Sequence, residues 1–171
     1  LESFRGRIRD EGRCFITDGG FRPGIPAAMV RYAATQLPQL EAANVGSVFQ
    51  VNWKKREFSS STASEFVDEL KSYSMLVLKN RQWVQGKMSQ VPQFDFGTPF
   101  GKKYCTPMFM EEFRVLPDTI PTLKETGFYS AGFGWMVDYV IIPVSLLLVK
   151  LHPDKSRSLI AKMFTWGLKN W

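Results

Sequence analysis

The sequence predicts a domain that mixes α-helices with β-strands, and three stretches carry that expectation. "NVGSVFQVNWKK" (44–55) alternates Phe49, Val51 and Trp53 with Gln50, Asn52 and Lys54, the period-two pattern of a half-buried strand. "SSSTASEFVDELKSY" (59–73) pairs Thr62 with Glu65 as a capping box and sets Phe66, Val67 and Leu70 on one side, which predicts a helix. "LPDTIPTLKETGFYSAGFGW" (116–135) opens as a proline-bounded loop or short helix and continues into a glycine-punctuated strand over 126–131. A chain of 171 residues, 44% hydrophobic and 22% charged, is long enough to bury one sizeable core and is neither disordered nor fibrous in composition.

Taken in order, the chain begins with "LESFRGRIRDEGR", where Phe4 and Ile8 stand four residues apart as on a short helix. Cys14, Phe15 and Ile16 follow as a short apolar strand that ends in a turn cluster. A helix leading into such a strand reads as the last αβ unit of a parallel sheet whose earlier strands would precede Leu1. Gly19, Gly20 and Gly24 then allow backbone angles or close approaches that a side chain would block, and Pro26 suits a first helical position. Ile25, Met29 and Tyr32/Ala33 recur behind it at helical spacing. A glycine loop at a helix start can present free N–H groups to an anion, and a tight structural turn uses the same residues.

"MLVLKNRQWVQG" (75–86) reads either as an extension of the preceding helix or as a strand, with Asn80-Arg81 a turn before Trp83 and Val84. Residues 92–121 are rich in Pro, Gly and Phe, and 103–109 is their best strand, with Pro107 placing it at an edge or a bulge. Glu111 and Glu112 are adjacent, so their side chains diverge on either a helix or a strand and do not form a catalytic pair.

The most hydrophobic stretch, 135–151, lies at the lower end of the length a spanning helix needs and carries Asp138 and Pro143. A helix buried by protein and kinked at Pro143, or two helices packed on a sheet or a subunit partner, accounts for it without a bilayer. In "SRSLIAKMFTWGLKNW" (156–171), Leu159/Ile160, Met163/Phe164 and Gly167/Trp171 share one side, and Arg157, Lys162 and Lys169 are available to the other. Such a basic amphipathic helix packs on its own protein or lies on a membrane surface.

The net charge of +6 permits attraction to phosphates or an anionic surface. Lys54-Lys55-Arg56 and Lys102-Lys103 are short and lack interleaved stacking aromatics, so nucleic acid is not expected as a partner. Cys14 and Cys105 lie in strand-like sequence with no CxxC partner and read as buried small residues in the reducing cytoplasm. No GxGxxG fingerprint, Walker loop or GxSxG elbow occurs. His152 is the single histidine, placed in a turn between two helices, so neither a metal site nor a histidine-based triad can be assembled.

"FITDGGFRPGIPAAMVRYA" (15–33), "FGTPFGKKYCTPMFMEEFRVLP" (96–117) and "LKETGFYSAGFGWMVDY" (123–139) together resemble the saccharopine dehydrogenase-like family of NAD(P)-dependent oxidoreductases, in the part that follows the Rossmann half. The resemblance implies an α+β substrate and dimerisation domain, with an antiparallel or mixed sheet and helices packed on one face. It implies that residues 1–24 are the remnant of the last Rossmann αβ unit and its crossover turn, and that 25–171 are the substrate/dimerisation domain. The missing amino-terminal Rossmann domain would bind NAD or NADP. This chain alone would bind no cofactor and be inactive, form a homodimer and contribute a cleft wall for a small-molecule substrate. By the same resemblance, Gly19, Gly20, Phe21, Arg22, Pro23 and Gly24 border the cleft where nicotinamide and substrate meet. Saccharopine reductases carry an aspartate before the Pro-Gly of this turn, where this sequence has Arg22, a cation suited to an anionic group. The chain is therefore similar to family members of unassigned substrate. A non-catalytic interaction or membrane-surface module built on the carboxy-terminal helices is the alternative.

Overall fold

A computed structural model describes residues 2–14, 20, 21, 23–55, 65, 68–70, 73–152 and 156–170. A short helix, α1 (Arg5–Asp10), follows a 3-10 turn and buries none of its residues. Helix α2 (Ile25–Gln36) starts as the sequence predicts, with proline in its first turn and Gly24 at φ 126° just before it. Its buried side is not the Ile25, Met29, Tyr32 stripe: those three are exposed, and Pro26, Ala27 and Val30 face the core. The small side chains let the helix axis approach strand β1 (Ala42–Val48) closely, which turns the bulky residues outward.

Strand β1 takes up the first part of the predicted strand, 44–48, and ends before the alternating residues 49–54. It pairs in parallel with β7 (Glu125–Ala131), from Ala42 opposite Glu125 to Val48 opposite Ala131, and the ladder stops there. Phe49 donates its N–H to the Ala131 carbonyl at 3.0 Å, after which Gly132, at φ 130°, turns away. Residues 49–52 are irregular, and Trp53–Lys55 form a 3-10 turn. The alternating aromatics serve packing instead: Phe133 lies 5.9 Å from Phe49 and stacks on Trp53 at 5.4 Å between ring centroids.

Of the helix predicted over 59–73, Glu65 and 68–70 are helical and Tyr73 is not; Thr62 of the capping box and Phe66 and Val67 of the stripe lie outside the described residues. Residues 75–86 are a hairpin, β2 (Leu76–Lys79) and β3 (Gln82–Gln85). Asn80 and Arg81 have φ of 49° and 61°, the left-handed pair that a two-residue hairpin turn with the twist of its strands requires. The predicted strand over 103–109 divides. Its first part joins β4 (Gln93–Asp95) with β5 (Lys102–Tyr104) in a two-stranded ribbon, and β6 (Thr106–Pro107) pairs with β7 opposite Ser130 and Tyr129. The short helix α3 (Leu116–Thr119) precedes β7.

The architecture is therefore α+β, with a mixed sheet in the order β1-β7-β2-β3 and β6 on the far part of β7. Helices α2 and α3 cover one face, where Ala27, Val30 and Leu116 pack with Phe128, Val45 and Trp83. The β4–β5 ribbon covers the other, where Phe94 and Phe96 pack on Val77, Tyr129 and Cys105. A side chain at Gly46 of β1 would overlap the Phe94 ring at 2.6 Å, so glycine is what lets the ribbon sit flat on the sheet.

Beyond β7, a π-helical turn (Val137–Ile141) runs directly into α4 (Ile142–Leu151), and α5 (Arg157–Asn170) follows. Pro143 lies in the first turn of α4, so the expected break appears as the π turn before it rather than as a kink at the proline. Helix α4 is not enclosed within the chain: Val144, Leu147 and Leu151 are exposed. Helix α5 buries Ile160, Phe164 and Gly167 as predicted, with Leu168 beside them, whereas Leu159 is exposed and Trp171 lies outside the described residues. A Cβ on Gly167 would stand 2.2 Å from Ile141 Cδ1, which measures how tightly α5 presses on the π turn. Among the described residues, no helix is long and apolar enough to cross a membrane.

Candidate functional site

The carboxyl end of β7 and the turn after it place the polar groups of the site. Ser130 and Ala131 end the strand, Gly132, Phe133 and Gly134 form the turn, and Asp138 closes the first turn of the following helix by donating its N–H to the Gly134 carbonyl at 2.8 Å. The Asp138 carboxylate folds back onto that turn, accepting the Gly132 N–H at 3.3 Å and the N–H groups of Phe133 and Gly134. Burial pushes its pKa up, and the three backbone donors offset part of that rise. Two neighbours respond to it. The Cys105 thiol is pushed up to about 11, by burial first and by the Asp138 charge second, and the Tyr139 hydroxyl is raised by the same two causes in the same order.

Asp138 lines a cavity of about 600 Å³ together with Ser130, Thr106, Phe109, Ile142 and Pro23. The Ser130 hydroxyl is buried and has no hydrogen-bond partner among the described residues. A buried hydroxyl without a partner carries a desolvation cost that a ligand or a water can relieve. Apolar walls with a few convergent polar groups are the usual make-up of a small-molecule site. A smaller cavity of about 370 Å³, lined by Gln50, Lys103 and Gly134 among others, also touches Asp138.

The residues singled out from sequence fall into three groups. Pro23 lines the larger cavity. Gly20 and Gly24 form an isolated β-bridge, Ile25 donates its N–H to the Gly20 carbonyl at 3.1 Å, and exposed Phe21 packs edge-on against Phe49 at 6.2 Å. Gly19 and Arg22 lie outside the described residues. Of the two uses the sequence leaves open for this loop, an anion site or a structural turn, the Gly24 N–H serves the second, donating to Glu112 Oε1 at 2.9 Å. The anion at the start of α2 is thus a side chain of the protein itself, one that satisfies a donor the helix leaves open. Glu111 and Glu112 do diverge: Glu111 pairs with Arg114, whose hydrogen bond holds its carboxyl below the usual range, while Glu112 reaches Gly24.

Cys14 is exposed and irregular rather than a buried strand residue, while Cys105 is buried as expected. Phe15 and Ile16, the rest of that predicted strand, lie outside the described residues. His152 ends α4, donating its N–H to the Leu148 carbonyl, and is exposed. Among the described residues, no group of three His, Cys, Asp or Glu side chains could hold a metal ion. Sequence reasoning missed Ser130, Thr106, Glu112 and Asp138 as site residues. The available signal was Asp138 itself, an acid inside the most apolar stretch and just after a Gly-Phe-Gly turn.

Compared with known proteins, the chain matches no family model and no curated protein sequence.

Proposed function

We propose that this chain is the substrate-binding and dimerisation domain of a saccharopine dehydrogenase-like, NAD(P)-dependent oxidoreductase. One observation supports the reading above the others: the three stretches that carry the resemblance, 15–33, 96–117 and 123–139, converge on one cavity. Pro23 and Arg31 come from the first, Thr106 and Phe109 from the second, Ser130 and Asp138 from the third.

In this reading the cavity takes a small organic substrate whose apolar body lies against Phe109 and Ile142 and whose polar end reaches Ser130 and Asp138. Asp138 accepts a hydrogen bond from a hydroxyl or amine, and Ser130 supplies the hydroxyl that has no partner among the described residues. These residues bind and orient. The described residues do not fit a dinucleotide pyrophosphate, because the N–H of Gly24 at the glycine-loop helix start is taken by Glu112. The cofactor, which supplies the redox chemistry, belongs to an amino-terminal Rossmann domain. The exposed Ile25, Met29 and Tyr32 stripe of α2 is the surface that domain would cover.

Calorimetry with NADH and NADPH tests the assignment. This chain should show no saturable binding in the micromolar range, and a longer chain that includes the preceding residues should show it. A micromolar isotherm on this chain alone, or none on the longer one, overturns the reading. Homodimerisation belongs to the same proposal and is measured by sedimentation velocity.

A further inference from the structure

The two carboxy-terminal helices form an antiparallel hairpin. Phe164 and Leu168, in the second half of α5, pack on Val137 and Ile141, and Ile160, in its first half, packs among Ile142, Leu146 and Val149. The hairpin buries one side of each helix and leaves the other outward. Val140, Val144, Leu147 and Leu151 follow one another at spacings of four, three and four residues, so they share one side of the π turn and α4. Leu147 is 56% exposed and Leu151 60%. On α5, Leu159 and Trp166 are 51% and 53% exposed.

The charges on these outward sides are of one sign. Lys150 stands three residues after Leu147, Lys162 lies between Leu159 and Trp166 at spacings of three and four, and Lys169 follows Trp166 by three. All three lysines are exposed. Neither α4 nor α5 contains an acidic residue. Arg157, the remaining cation, is tied to Asp68. The acid of the π turn, Asp138, points its carboxylate back to the Gly132 turn.

A second copy of this chain fits such a surface poorly. A twofold contact sets a patch against itself, and here that would bring lysines toward lysines with no carboxylate on either helix to separate them. An anionic lipid surface fits both halves of the pattern: leucines and valines enter the acyl boundary, lysines stay among the headgroups, and Trp166 takes the position between them. With the π turn before it, α4 belongs to one helical run over 135–151, about 25 Å long and short of the roughly 30 Å of hydrocarbon, and no helix among the described residues is long and apolar enough to cross a membrane, so it lies in the interface. We propose that the outward faces of α4 and α5 seat this protein on the surface of an anionic lipid bilayer. The inference is independent of what the cavity binds.

Co-sedimentation with vesicles tests it, using phosphatidylcholine alone and equal parts of phosphatidylcholine and phosphatidylglycerol. The protein should pellet with the anionic vesicles, stay in solution with the neutral ones, and be released in part as salt shortens the reach of the lysine charges. Leu147→Glu/Leu151→Glu should lower the bound fraction at least about tenfold with an unchanged circular dichroism spectrum, since both positions are exposed in the folded chain. Lys162→Gln/Lys169→Gln should remove most of the salt-sensitive part and keep the fold. Three results overturn the proposal: no pelleting with either vesicle, pelleting that both variants leave unchanged, or a dimer in sedimentation velocity that Leu147→Glu/Leu151→Glu dissociates. The last would make a second copy the occupant.

Discussion

Asp138 is a carboxylate on which two effects pull in opposite directions. Burial favours its neutral form, and the N–H groups of Gly132, Phe133 and Gly134 favour the anion; burial is the larger, so the folded pKa lies above the ordinary 3.8. The folded protein therefore holds this proton more tightly than the unfolded chain does. The stability that follows is fully present below the ordinary aspartate value, where the group is protonated in both states, and it is lost as pH rises through the folded pKa. Asp138→Asn, which cannot ionise, removes that dependence. Urea titrations at a series of pH values should show the variant gaining stability relative to the parent as pH rises above the ordinary aspartate range, with a plateau above the folded pKa. A difference that does not change with pH would show that the Asp138 charge is no more costly folded than unfolded.

At the scale of the element, the turn between β7 and the π turn depends on Gly132. Its φ of 130° is open to few side-chain-bearing residues, and a Cβ there would meet the Phe49 backbone at 2.5 Å. Neither strand end can yield, because Phe49 N–H is bonded to Ala131 and the Gly132 carbonyl accepts the Trp53 indole N–H at 2.8 Å. Gly132→Ala therefore combines backbone strain with a backbone clash and should cost at least about 2 kcal/mol in equilibrium unfolding. Gly12→Ala is the control. Gly12 has φ 59° with no atom near its missing Cβ, so only the left-handed penalty of about 1 kcal/mol applies. Equal costs at the two sites would mean that the turn relaxes around the added methyl.

For the whole molecule, the two cysteines report on different openings. Cys14 is exposed, and Cys105 is enclosed where the β4–β5 ribbon closes over the sheet, beside Val77, Tyr129 and Ala131. Burial and the nearby Asp138 charge together raise the Cys105 thiol to about 11, so little of it is thiolate at neutral pH even where reagent reaches it. Alkylation of the native protein should modify Cys14 at once and Cys105 only as urea populates open molecules, with a midpoint equal to that of global unfolding. Labelling of Cys105 well below that midpoint would show that the ribbon lifts off the sheet by itself.

What the sequence determined alone was local. Pro26 marks the start of α2, the glycine-punctuated run marks β7, and the Ile160, Phe164 and Gly167 spacing marks the buried side of α5, because caps, periods and turn residues act within a few positions. The hairpin at 75–86 stayed open in the sequence, since a short apolar run beside a helix suits either structure. Long-range pairing decided the rest. Strand β1 ends at Val48 because its partner β7 ends at Ala131, so the alternation beyond it became an aromatic loop. Helix α2 turned Ala27 and Val30 inward because close packing on β1 favoured small side chains over the larger stripe. The candidate site is the clearest case. Pro23 was set at a cleft only by a family resemblance and not by any local pattern, Glu112 meets Gly24 across 88 residues, and Ser130 and Asp138 face one cavity only because β6 and β7 pair and the Gly132 turn folds back on itself. No local pattern encodes such meetings, because they depend on which surfaces the folded chain brings together.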